Sequence, residues 1–328
     1  MTFDLNAPLL GAAGAPQIGS NSFINGAMTI AQRALSLVMT AGLAVPTASL
    51  GYPTVDMWYA YSTGANPTMA QVAGTGTSLF RTQFTGIAAT TAIGFGQRVE
   101  STEAARYAGN NAVLSVDLSN SLLTTVTWTA FRPTTTADTY GTIGTPTRTQ
   151  IATGTFTVSP TLARYSATFA CDTNVRNGIE VVLTVGAQTS GTWVIGDAKL
   201  EVGSVATPFV GRVNEFAECL RFYQKQAPYA VAPNATFTIS AANTNALIFN
   251  TGATNFIGGP SFARMFAIPV ITFSDGLGNA GVIGALSGGN WLNGQSTSMY
   301  TATESSFTIL SGSASSHHYR YQLFAQIP

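Results

Sequence analysis

Leu123-Thr124-Thr125-Val126-Thr127-Trp128-Thr129-Ala130-Phe131 alternates with a period of two: Val126, Trp128 and Ala130 point one way, and Thr125, Thr127 and Thr129 point the other. Successive side chains of a strand leave opposite faces of its sheet, so this is a strand with one face buried. Valine, threonine and aromatic rings suit such a pleated, half-covered surface. The pattern recurs downstream. Leu162–Cys171 sets Tyr165, Ala167 and Phe169 against Arg164, Ser166 and Thr168, and Ile179–Val185 sets Ile179, Val181 and Leu183 against Val182 and Thr184. Turn formers separate these runs at Arg132-Pro133, Gly144-Thr145-Pro146, Ser159-Pro160 and Asn177-Gly178. Many short strands divided by turns predict an all-β sandwich or barrel.

One segment departs from this. Asn214–Gln226 places Phe216, Cys219, Leu220 and Tyr223 at i, i+3, i+4 and i+7, a helical face. Asn214 is a suitable N-cap, Glu215 and Glu218 lie in the first turn, Arg221 and Lys225 lie toward the end, and Pro228 stops the run. The helix divides the chain into an arm (1–20), a β domain (21–213), a linker helix (214–228) and a smaller C-terminal β domain (229–328). In the last of these Ala235–Ile239, Ala246–Asn250, Phe262–Ile271, Val282–Leu286, Ser306–Leu310 and Tyr319–Ile327 read as strands. The pattern in Phe23–Val45 fits a helix or a strand equally.

Composition narrows the function. The chain has 328 residues, enough for about two domains. Only 9% of them are charged, against roughly 25% in ordinary proteins, and the net charge is zero. Lys199 and Lys225 are the only lysines. A grip on nucleic acid needs clustered cations and is not expected. Membrane insertion is not expected either: the uncharged run Ala34–Val55 is broken by Gly42, Pro46, Gly51 and Pro53. No basic stretch precedes Asp4, unlike a secretory signal. A surface this poor in charge consists of short polar side chains or is covered by other copies. Cys171 and Cys219 fit neither a disulfide framework nor a zinc motif and read as two buried thiols.

Catalytic motifs are absent. No nucleophile elbow, His-Glu-x-x-His helix or phosphate loop occurs, and Gly94-Phe95-Gly96 reads as a glycine-rich turn. His317 and His318, adjacent on a strand, face opposite sides and cannot chelate one metal. A glycosidase needs two carboxylates about 5 to 9.5 Å apart. Asp56, Glu100, Glu103, Asp117, Asp197 and Glu201 are available, but none sits in a catalytic phrase. The chain reads as a non-enzyme without metal or cofactor.

Aromatic rings remain, since the CH faces of sugars pack on them while nearby amides take the hydroxyls. Trp58 and Trp128 read as core. Trp193 opens a strand near a sheet end and fits core or contact equally. Trp291, in Gly288-Gly289-Asn290-Trp291-Leu292-Asn293-Gly294, reads as a surface ring in a loop. Trp291, Asn290, Asn293 and Trp193 are the glycan-binding candidates.

Four phrases resemble tailed-bacteriophage structural proteins of the fibre or spike kind. They are Asn21–Arg33 with Val55-Asp56-Met57-Trp58; Gln97-Arg98-Val99-Glu100 with Tyr107-Ala108-Gly109-Asn110; Trp193–Phe209 leading into Glu218-Cys219-Leu220-Arg221-Phe222-Tyr223; and Ile268-Pro269-Val270-Ile271-Thr272-Phe273 with Gly278-Asn279-Ala280-Gly281. The resemblance implies a carbohydrate-binding-module-like jelly roll opened by a strand over Phe23–Arg33, then a helix and a C-terminal β domain. It further implies a virion component made in the host cytoplasm. Such a protein is a homo-oligomer, a trimer by preference, joined to other virion proteins through the arm and facing a host-surface glycan. A decoration or collar protein without receptor binding is the alternative, and a polysaccharide-degrading enzyme a lesser one. Jelly rolls of this kind often hold a structural calcium, for which Asp197 is a candidate ligand while the sequence identifies no others.

Overall fold

A computed structural model describes residues 20–40, 53–141, 146–227, 229, 231, 235–236, 247–250, 256–287, 290–311, 316–325 and 327. The arm expected over residues 1–20 lies outside these residues, apart from Ser20. Eleven strands form the first unit: β1 (Ser36–Val38), β2 (Tyr59–Thr63), β3 (Thr68–Ala73), β4 (Phe80–Thr85), β5 (Ala92–Val99), β6 (Asn111–Asn120), β7 (Thr125–Pro133), β8 (Arg148–Thr157), β9 (Ala163–Ala170), β10 (Ile179–Val185) and β11 (Thr192–Val202). They make two antiparallel sheets, ordered β1-β3-β4-β11-β6-β9 and β2-β5-β10-β7-β8, packed as a jelly-roll sandwich.

The period-two readings hold. Val126, Trp128 and Ala130 of β7 face Phe156, Phe169 and Leu183 in one buried cluster. Trp128 stacks on Phe169 at 5.4 Å between centroids, and Trp58 stacks on Phe95 at 4.7 Å. Cys171 and Cys219 are free thiols and buried.

Phe23–Arg33 is not a strand. Asn25 and Met28 sit in the left-handed region, at φ 57° and 58°, which breaks an extended run. Asparagine side chains take over the backbone pairing a ladder would supply. Asn25 Oδ1 accepts from the Ile30 N–H at 3.0 Å, its Nδ2 donates to the carbonyls of Ile30 and Asp56, and Asn21 bridges Ala198 and Leu200.

The helices are short: α1 (Ser101–Ala104) and α2 (Glu215–Leu220). The expected helix over Asn214–Gln226 ends at Leu220, because Tyr223–Lys225 pair with the final strand instead. Asn214 makes no capping bond through its side chain, and its backbone is left-handed. Phe216 is 49% exposed, so the predicted apolar face is only partly used; Cys219, Phe222 and Tyr223 are buried. No helix among the described residues is long and apolar enough to cross a membrane.

The second β unit contains β12 (Tyr223–Lys225), β13 (Leu247–Asn250), β14 (Phe256–Ser261), β15 (Val270–Ser274), β16 (Val282–Ser287), β17 (Asn290–Ala302), β18 (Ser306–Ser311) and β19 (Ser316–Phe324). β19 pairs with β12, β13, β15 and β16. The strand expected over Phe262–Ile271 is not formed apart from Val270 and Ile271 in β15, since Met265 N–H goes to Glu304 and Phe266 N–H to Arg221 at the α2 end. Of Ala235–Ile239, the described residues 235 and 236 are not strand, and the rest lies outside the described residues. The two units share an apolar cluster in which Ile24, Ile30, Met57 and Tyr140 meet Cys219, Phe222, Tyr223, Phe324 and Ile327.

Candidate functional site

The outer face of the five-stranded sheet collects aromatic rings and hydroxyls. β-strand register sets out its rows. Tyr61 lies opposite Gly94, which pairs with Thr184; Thr184 pairs with Thr127, and Thr127 with Thr155. The neighbouring row runs Tyr59, Gly96, Val182, Thr129 and Thr153. A Cβ placed on Gly94 would overlap the Tyr61 ring, and one on Gly96 would meet the Tyr59 phenol. Both rings therefore lie flat across β5, over the two glycines. Gly94-Phe95-Gly96 is thus strand rather than turn: Phe95 points into the core, and its flanking glycines clear space on the opposite face.

Tyr59 and Val182 are buried there, with Tyr61 and Phe131 packed against them and half-buried. The hydroxyls are short and fixed. Thr129 and Thr153 share a bond at 3.1 Å, and Thr153 also donates to the Trp128 carbonyl at 3.0 Å.

A charge cluster closes one end. Glu180 is fully buried, accepts from Tyr59 Oη at 2.8 Å and Arg98 Nε at 2.9 Å on Oε1, and accepts from Arg148 Nη1 on Oε2. Burial by itself would raise the Glu180 carboxyl, but the two guanidiniums outweigh it and hold it below its ordinary range. Burial and the neighbouring Glu180 charge push the Tyr59 phenol well above its ordinary range, so Tyr59 is a donor. Arg98 is buried against the Tyr140 ring, and Arg148 lies 4.0 Å over the Phe131 ring.

The residues expected to bind a glycan fare differently. Trp193 is fully buried, stacked at 5.2 Å on Phe84, and presents no face to a ligand. The reason is register: Trp193 lies opposite Phe84 of β4, on the inward side. The segment 290–294 is the start of β17 rather than a loop, with Asn290 paired to Ser287 and Trp291 to Leu286. The side chains of Asn290 and Trp291 lie outside the described residues. Asn293 has a structural duty, accepting the Gly276 N–H at 3.0 Å, while Gly294 N–H goes to Asp275 at 2.8 Å.

The carboxylates are each engaged. Asp56 accepts from Gln32, and Glu201 pairs with Lys199 at 3.1 Å and binds Thr207. Asp117 pairs with Arg164 at 3.2 Å, and Asp197 accepts from Ser78. Glu100 and Glu103 border a cavity of about 130 Å³ between the sandwich and the α2 segment, where Arg221 pairs with Glu100 at 2.9 Å; Glu103 also pairs with Arg106 at 2.8 Å. Among the described residues no three His, Cys, Asp or Glu side chains converge.

No family model matches the chain, and no curated protein does. Solved structures do match at low identity. A CBM4 carbohydrate-binding module is 10% identical, with 55% of this chain and 98% of that chain covered and a TM-score of 0.36. A putative sugar binding protein from Bacteroides thetaiotaomicron is 10% identical, covering 56% and 100%, with a TM-score of 0.38. The enzymatically active domain of bacteriophage CBA120 tailspike protein 4 is 14% identical over 56% of this chain and 21% of that one, with a TM-score of 0.34.

Proposed function

We propose that the chain is a glycan-binding structural component of a virion, and that the outer face of the five-stranded sheet is its sugar surface. The observation that carries the binding part is the Tyr61 ring laid flat over Gly94 beside rows of threonine hydroxyls. A sugar ring placed on Tyr61 sets its CH face against the phenol ring and its hydroxyls against Thr127, Thr155 and Thr184. The aromatic surface is pre-organised, because Gly94 leaves space for the ring and Tyr59 and Val182 pack beside it. The virion part rests on the four resembling phrases and on the scarcity of charge. A homotrimer, attached through the arm, follows the same reasoning: contacts between copies cover surface that charges would otherwise solubilise.

A glycan array probed with the full chain and with Tyr61→Ala tests the reading. We expect discrete hits that the substitution removes while the thermal melt is kept. Hits that survive Tyr61→Ala place the sugar elsewhere. One observation favours the purely architectural alternative: the indoles of Trp58, Trp128 and Trp193 are all buried in the sandwich. An empty array with intact particle assembly supports that alternative. Light scattering at three times the 34.1 kDa chain mass is the result expected of the trimer.

A further inference from the structure

We propose that the sugar held on this face carries a carboxylate, and that Arg148 is the residue that receives it. The inference rests on the glycan-binding reading and adds the ligand class. Its basis is a charge count at the end of the face. Two guanidiniums, Arg98 and Arg148, share the single carboxylate of Glu180, which leaves one positive charge in excess.

The two arginines are not equivalent. Arg98 is saturated: Nε goes to Glu180, Nη1 to the Ile327 carbonyl at 2.8 Å and Nη2 to the Gly141 carbonyl at 3.0 Å. Arg148 gives Glu180 one N–H, through Nη1, and also bonds to Tyr59, which still leaves N–H groups of its fork, and its side chain keeps 12% of its surface exposed. A guanidinium has five N–H donors in a planar fork that matches a carboxylate. The Phe131 ring beneath Arg148 holds that fork in place. Among the described residues Glu180 is the only carboxylate that pairs with Arg148.

Tyr61 and Phe131 pack on the same buried pair, Tyr59 and Val182, and the charge of Arg148 bears on the Tyr61 phenol. A sugar ring on Tyr61 therefore has a cation at its edge. An uncharged sugar leaves that cation unused, whereas a ring bearing a carboxylate neutralises it through charge-assisted hydrogen bonds. Two sources share this chemistry: a hexuronate and a sialic acid.

Calorimetry with the full chain separates the cases, using a hexuronate oligomer, a sialylated oligosaccharide and a neutral hexose oligomer of equal length. We expect one acidic ligand to bind at least about tenfold tighter than the neutral one, and to weaken from 50 to 500 mM NaCl. Arg148→Gln should remove that advantage, and Arg148→Lys, which keeps the charge but loses the fork, should keep only part of it, with thermal melts confirming that both variants fold. Neutral binding equal to acidic binding, lost in Tyr61→Ala but not in Arg148→Gln, overturns the inference and leaves the glycan face standing. Acidic binding untouched by Arg148→Gln also overturns it. Binding of none of the three overturns both.

Discussion

Arg98 on β5 donates Nη1 to the main-chain carbonyl of Ile327 at 2.8 Å, so one buried guanidinium joins the sandwich to the last described residue of the chain. The same guanidinium neutralises Glu180, behind the proposed sugar face. Sheet, site and C-terminal unit are therefore mechanically connected through one side chain. Ala325 N–H, bonded to the Phe222 carbonyl at 2.9 Å, repeats the attachment from the side of α2.

Arg98→Ala removes that junction and leaves Glu180 with Arg148 alone. Arg148 still neutralises Glu180, so the cost is that of the charge-assisted hydrogen bonds lost to Glu180, Ile327 and Gly141, about 1.5 to 3 kcal/mol. Urea unfolding of wild type and variant measures the loss. A change below about 1 kcal/mol means that Arg148 and Tyr59 suffice for Glu180.

Gly94→Ala and Gly96→Ala should differ. The new methyl at Gly94 meets the Tyr61 ring first, which can swing outward; at Gly96 it meets the Tyr59 phenol and the Val181 backbone carbonyl. Gly94→Ala is expected to abolish sugar binding with a small change in melting temperature. Gly96→Ala is expected to destabilise by about 1 to 3 kcal/mol through overpacking. Calorimetry beside thermal melts checks both, and equal stability losses would place Tyr61 and Tyr59 in equivalent environments.

Phe222→Ala should cost roughly 3 to 5 kcal/mol, because the ring is fully buried and stacks on Phe266 at 5.4 Å. Phe216→Ala, at a half-exposed site, should stay within about 0.5 kcal/mol. Denaturant midpoints measure both. A large loss at Phe216 would mean that its ring is covered in the assembled protein.

These two phenylalanines also show what local pattern can and cannot reveal. The spacing of Phe216, Cys219, Leu220 and Tyr223 favours a continued helix, yet pairing of Tyr223–Lys225 with β19, about a hundred residues on, overrides it. The sandwich was legible because period two is a local property of strands such as β7. The sugar face was not. Gly94 and Gly96 acquire meaning only once Tyr61 and Tyr59 lie across them from another strand. Trp193 misled because a tryptophan at a strand start carries no mark of which side its register will choose. In Asn21–Arg33, asparagine side chains imitate a ladder's hydrogen bonds, and the residue pattern cannot distinguish the two.

Asp56 should impose a pH dependence of opposite sign to that of an ordinary ion-paired carboxylate. It is fully buried between the units, accepting from Gln32 N at 3.1 Å and Gln32 Nε2 at 2.5 Å, while Gln32 Nε2 also reaches the Tyr223 carbonyl. Burial pushes its carboxyl up from 3.8 to about 6, against the opposing pull of Gln32, Arg33 and Lys225. The folded chain thus keeps a proton that the unfolded chain releases near pH 4. Stability from this group is fully present below pH 3.8 and is lost as pH rises to about 6. The interval corresponds to roughly 3 kcal/mol. Asp56→Asn removes the titration and keeps an acceptor for the Gln32 N–H. The stability of wild type minus variant, from urea unfolding at pH 4.5, 5.5 and 7, should therefore fall steadily as pH rises. Differencing against the variant cancels the contributions of the other carboxylates, Glu180 among them. A difference that stays flat or grows with pH would show that Asp56 is ionised throughout, held by Arg33 and Lys225 more strongly than burial opposes it.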